Sequence, residues 1–163
     1  MSGAIPILFL FAITIHNIEE GIWLTRQQTS TQANVKMHDV VTQDQFLFGL
    51  LWVTGFAYLI TALYMFYPDI GLFKYAYFGF LGAMIINIIF PHLVSTIIER
   101  SYSPGLMTGV LVIIPINGLI IHAGLDLGII TVLSFIFSTL IMGAFLVISI
   151  PFSFRLGKQL IHF

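Results

Sequence analysis

The sequence has no cysteine. That absence excludes disulfides, thiolate nucleophiles and cysteine-ligated metals, while leaving the compartment open. Charge is almost as scarce. Asp, Glu, Lys and Arg make up 8% of the 163 residues, against about 25% in an ordinary soluble domain. The six Lys and Arg form no stripe and the formal net charge is −1. The electrostatic footprint of a nucleic-acid-binding protein is missing, so no nucleic-acid partner is expected. The N-terminus lacks a positively charged n-region and a convincing small-residue cleavage site, and it reads as a retained helix rather than a signal peptide. Residues 1–163 contain no low-complexity tract and read as a single transmembrane domain.

What is there is apolar. Hydrophobic residues make up 58% of the chain and include 16 Phe. A soluble fold of this size has no interior large enough for them, whereas a bilayer is an apolar solvent. A helix crossing the hydrocarbon core needs about 20 mainly apolar residues. Five segments qualify: 3–24, 46–67, 75–98, 106–123 and 129–154. The expected fold is all-α, a polytopic bundle of about five transmembrane helices. The fourth-to-fifth break is placed at Ala123-Gly124-Leu125-Asp126-Leu127-Gly128. The polar stretch Arg26–Gln45 suggests a short interfacial helix through Val35, Met37 and Val40. One side of the membrane carries Arg26, Lys36, Arg100, Arg155 and Lys158, and the other only Lys74. The positive-inside rule then puts the C-terminus in the cytoplasm and the N-terminus outside.

The first segment contains His16-Asn17-Ile18-Glu19-Glu20. At about 100° per residue, Glu19 and Glu20 flank His16 by about 60° and 40°, and Trp23 lies about 20° away. Charged groups at membrane depth cost roughly 2.5–3.5 kcal/mol on insertion scales, usually face the bundle interior and mark function. Adjacent carboxylates also repel, and a divalent cation between them removes the conflict. Ferritin-like carboxylate proteins build metal sites from Glu-x-x-His, the reverse order of this pattern. The competing reading leaves Glu19 and Glu20 hydrated among the headgroups, about 9 Å of helix before Arg26.

The third segment contains Asn87-Ile88-Ile89-Phe90-Pro91-His92, in which Pro91 removes a hydrogen bond to the Asn87 carbonyl and kinks the helix. His92, Ser95, Thr96 and Glu99 continue as a polar stripe. Taken alone, His92 fits a neutral histidine bonded to a neighbouring carbonyl. Depth brings it to the first segment: His92 sits about 10 Å, Glu20 about 8 Å and His16 about 14 Å from the same side. Asn117 in the fourth segment reaches the top of that layer at about 18 Å, and His122, at about 25 Å, reads as an outer-interface residue. His38-Asp39 and His162 read as solvated, and Trp23, Trp52 and Tyr102 as interfacial anchors.

His16-x-x-Glu19-Glu20 resembles the motif that names the HXXEE family of small integral membrane proteins. Asn87 and His92 are similar to an Asn/His pair of that family. Tyr102-Ser103-Pro104-Gly105-Leu106-Met107-Thr108, with Pro115 following, looks like its Tyr-x-Pro-Gly segment. The resemblance covers about residues 8 to 117 and implies a membrane-embedded polar site of enzymatic character, without naming a reaction.

The expected function is a metal-dependent intramembrane hydrolase acting on a lipid-like substrate. His16, Glu19, Glu20 and His92 would hold a divalent metal, zinc first, with iron or manganese suiting the same ligands. The carboxylate left free, Glu19 or Glu20, would serve as general base, with Ser95 as a catalytic hydroxyl that orients substrate or bound water. Asn87, Asn117, Trp23 and Tyr102 would contact substrate. A Glu/His proton or ion conduit is the first alternative. A non-catalytic membrane scaffold is the second. The bilayer itself is a partner, and a homo-oligomer is compatible with the small size.

Overall fold

The computed structural model describes residues 5–31 and 41–160, with side chains described for 5–23 and 41–160. The suggested interfacial helix, Lys36, His38-Asp39 and His162 lie outside the described residues, as does the Arg26 side chain. Among the described residues every regular element is helical. There are five long helices: α1 (Ile5–Thr31), α2 (Gln43–Phe66), α3 (Gly71–Glu99), α4 (Leu106–Asp126) and α5 (Val132–Leu160). Each contains a stretch long and apolar enough to cross a bilayer, in α1 the part Ile5–Trp23. The chain is a multi-pass bundle whose successive helices run up and down.

Local chemistry sets the helix ends. Thr42 caps α2, accepting from the Gln45 amide at 3.3 Å while the Gln45 side chain accepts from the Thr42 amide at 2.8 Å, so α2 begins three residues before the apolar run does. Thr131 and Ser134 exchange the same pair of bonds at 3.2 and 3.0 Å, which delays the start of α5 to Val132. Gly124 does not end α4. The helix continues to Asp126, and the turn is made by Gly128, at φ +65°, with the Ile129 amide returning to the Gly124 carbonyl at 2.9 Å. α1 likewise continues to Thr31, past the apolar stretch.

Phe9, Ile13, Tyr77, Phe78, Phe80 and Leu81 are fully buried and form the core. Tyr77 packs edge-on against Phe9 and stacks on Tyr64 at 4.7 Å. Gly79 and Gly82 let α3 lie directly against Ser138 and Thr139 of α5, with no room for a Cβ. The outer surface is apolar in its turn: Phe11, Leu51, Leu119, Ile141 and Val147 are all more than 60% exposed. A surface of that kind suits hydrocarbon and not water.

Two helices are irregular at the end of the bundle where α3 turns into α4. In α3, Phe90 is extended (φ −135°, ψ 116°) just before Pro91, and the Val94 amide reaches back five residues to the Ile89 carbonyl. In α4, the Ile114 amide bonds to the Gly109 carbonyl with the same wide spacing, immediately before Pro115, which has no amide hydrogen to continue the ladder. The extensive packing of α3 on α5 belongs to Gly71–Asn87, above the break.

Candidate metal centre

α1 and α3 meet at this irregular level. The His16 and His92 rings stand edge to face, with centroids 5.4 Å apart. His92 Nε2 lies 3.8 Å from Glu20 Oε1. One potential ligand atom from each of His16, Glu20 and His92 falls within 4.8 Å of the others. Both histidines are buried, and Glu20 is mostly so.

Glu19 is not in this group. It stands about 100° from Glu20 around α1, so it turns to α4 while Glu20 turns to the interior between α2, α3 and α5. Glu19 Oε2 accepts from the Thr108 amide at 2.9 Å and from the Thr108 hydroxyl at 2.5 Å. Glu19 Oε1 accepts from the Tyr102 hydroxyl. Three donors thus converge on this one carboxylate.

This arrangement fixes the tautomer of His16. The Thr108 hydroxyl spends its proton on Glu19, so toward His16 Nδ1, 3.3 Å away, it acts as acceptor. Nδ1 therefore carries the imidazole proton and Nε2 carries a lone pair. That Nε2 is buried and has no hydrogen-bond partner. A buried polar atom without a partner calls for an explanation, and a bare imidazole nitrogen is the form that binds metal. The carboxylate–hydroxyl–histidine row resembles the outer shell that orients metal-binding histidines.

His92 is held in a similar way. Its Nδ1 lies 3.3 Å from the Ser103 hydroxyl, and Asn87 Nδ2 approaches its Nε2 at 3.3 Å. An amide NH₂ donates, so His92 Nε2 also presents a lone pair. Ser103 is tied down by its amide, which donates to Thr96 Oγ1 at 3.0 Å.

The turn between α3 and α4 closes the site. Gly105 has φ +87°, and a Cβ there would stand 2.8 Å from His16 Cε1 and 3.2 Å from His92 Cε1. Only glycine serves both the backbone and the two rings at once. Tyr102 accepts from the Met107 amide at 3.1 Å and packs its ring 5.6 Å from that of Trp23. Burial, and then its bond to Glu19, raises the Tyr102 pKa above the ordinary phenol value. The shift favours the protonated, folded form, so its contribution to stability is whole below about pH 10 and is lost as pH climbs through the raised value. At neutral pH Tyr102 remains a donor to Glu19.

A cavity of about 380 Å³ lies beside the cluster, with His16, Asn17, Glu20 and Asn87 in its lining. Asn17 is already engaged, donating to Thr54 Oγ1 at 2.7 Å. The remaining sequence candidates lie elsewhere. Ser95 is partly buried on α3 beyond the break, outside the cavity lining. Asn117 is fully buried, donates to the Leu81 carbonyl at 3.1 Å and does not line the cavity. Trp23 and Tyr102 pack against each other and do not line the cavity. His122 is exposed and pairs with Asp126 at 2.9 Å at the opposite end of the bundle. The residues that sequence reasoning left without a role are Thr108, Ser103 and Gly105. Their only signal was their place in the Tyr102–Thr108 stretch that carries the Tyr-x-Pro-Gly pattern.

The sequence model of a family described as proteins of unknown function with an HXXEE motif matches residues 7–120. The chain is similar to the uncharacterised protein YrkK of Bacillus subtilis (strain 168), with 40% identity over 151 residues, covering 93% of this chain and 94% of that protein. No solved structure matches.

Proposed function

This chain belongs to the HXXEE family, and we propose that it is a metal-dependent intramembrane hydrolase acting on a lipid-like substrate. The observation that carries the reading is the buried, unpartnered Nε2 of His16, facing a second histidine and a carboxylate. Two imidazoles and one carboxylate are the protein ligands of a catalytic zinc site that keeps one position open. Iron and manganese suit the same donors. A metal held there supplies Lewis acidity and a water acidic enough to attack near neutral pH.

The chain's own groups divide the remaining work. Glu20 would hold the metal through its carboxylate and offset its charge. Glu19 is a positioning residue, acting through Thr108 on His16. Asn87, whose Nδ2 lies 3.3 Å from His92 Nε2, would be placed to donate to a carbonyl of the substrate were His92 to hold a metal. With the Lys/Arg-rich loops on the cytoplasmic side, the centre would lie in the inner leaflet.

The hydrogen-bonded row from His16 through Thr108 and Glu19 to Tyr102 also suits a proton conduit, the alternative reading. Against it, Phe9, Ala12 and Ile13 of α1 are fully buried above His16 and form an apolar plug on that helix. The test is hydrolysis of acyl esters and amides by the protein in proteoliposomes. Turnover that is lost to a chelator and regained with zinc, iron or manganese supports the hydrolase. Proton flux across the vesicles without turnover supports the conduit.

A further inference from the structure

The cavity beside the cluster has a shape of its own. Its α5 wall runs from Phe154 to Thr139, about 22 Å of helix. Phe154 rests on Gly49 of α2, near the level of Glu20, while Thr139 rests on Gly82 in the upper half of α3. Asn87 lies five residues beyond Gly82, about 8 Å of helix from the level of Thr139. Apart from His16, Asn17, Glu20, Asn87 and Thr139 the lining is apolar, through Val53, Met84, Gly143, Leu146 and Val147.

The cavity opens sideways. Ile86, Phe90, Leu140 and Val147 line it and are also between 50% and 73% exposed. They belong to α3 and α5, which separate where α3 breaks at Phe90–Pro91. Its mouth thus faces the hydrocarbon at the level of the histidines. A volume of about 380 Å³ falls at the small end of ligand sites, which run to about 300–1,000 Å³.

We infer that this groove binds the single acyl chain of an amphiphile, entering between α3 and α5 with its carboxyl or carbonyl end at Asn87 and its chain lying along the apolar wall of α5. The inference rests on the hydrolase reading for what happens at the polar end, and on the groove alone for the chain. It narrows the substrate to single-chain acyl compounds, such as a fatty acyl ester or amide.

Gly143 offers the test. A Cβ there meets nothing within 4 Å, so Gly143→Phe fills the groove without displacing the backbone. The probes are two palmitic acids carrying a diazirine, one near the carboxyl group and one near the chain end. Each is photolysed with the purified full chain, and the labelled residues are mapped by mass spectrometry. The head-proximal probe is expected on Ile86, Asn87 and Phe90, and the tail probe on the groove-lining residues of α5, among them Leu140, Gly143 and Ile150. Excess palmitate should compete, whereas diacyl phosphatidylcholine should not. Gly143→Phe should lower tail labelling at least tenfold with metal content unchanged. Labelling spread over the outward-facing Leu133, Ile141 and Ile148, without competition in the wild-type protein, would overturn the inference whatever the variant does. Groove labelling in a chain that binds no metal would keep this inference and remove the hydrolase reading; bound metal without groove labelling would do the reverse.

Discussion

The Thr108 hydroxyl lies 3.3 Å from His16 Nδ1 and 2.5 Å from Glu19 Oε2. One residue of α4 thus joins two residues of α1 and determines which nitrogen of His16 carries the proton. If the lone pair on His16 Nε2 is a metal ligand, Thr108 acts on the metal without touching it. Thr108→Val should weaken metal affinity about 10–100-fold, the usual cost of losing an outer-shell partner. Thr108→Ser should retain it. Competition against a chromogenic chelator measures both.

Glu19 and Glu20 are neighbours in sequence with different duties. Glu20→Gln should abolish stoichiometric metal binding. Glu19→Gln should leave the stoichiometry intact and raise the dissociation constant about 10–100-fold. Equal effects of the two substitutions on stoichiometry would contradict the division of roles.

Gly105→Ala should disturb both rings. The left-handed backbone costs an L-residue about 1–2 kcal/mol, and the added methyl meets His16 Cε1 at 2.8 Å. A lower Tm together with weakened metal binding is expected. Gly143→Ala, where the methyl meets nothing, is the control and should leave both unchanged. Thermal unfolding in detergent, with metal content measured in parallel, checks the pair.

His122→Ala should be nearly silent. The His122–Asp126 pair is exposed on both sides, and such pairs contribute about 0–1 kcal/mol. Metal content and activity should match wild type. A loss of metal would mean that α4 reaches the site in a way its geometry does not allow.

The five spans were legible because an apolar run of that length has few other uses. The polar layer was legible because ionisable groups in hydrocarbon need partners, and loop charges together with helix rise put His16, Glu20 and His92 at one depth. The split between Glu19 and Glu20 was not. Helical angles give their divergence but not which helix stands on either side. Thr108 and Ser103 were hidden for a related reason: hydroxyls at helix starts usually cap or face water, and only the fold brings these two to the histidines. Pro91 announced the break in α3. The wide turn in α4 lies just ahead of Pro115, in Gly109–Ile113, where no residue type marks it. The α4–α5 turn was placed too early because Gly124 and Gly128 look alike in sequence, while only Gly128 takes the positive φ.

Metal content tests the central claim most directly. The full chain, purified in detergent and loaded with zinc, iron or manganese, is analysed by elemental mass spectrometry beside His16→Ala, Glu20→Gln, His92→Ala and Glu19→Gln. The account predicts a single bound metal per chain in the wild type and in Glu19→Gln, and none in the other three. A wild-type protein that retains no metal under any loading condition would contradict it.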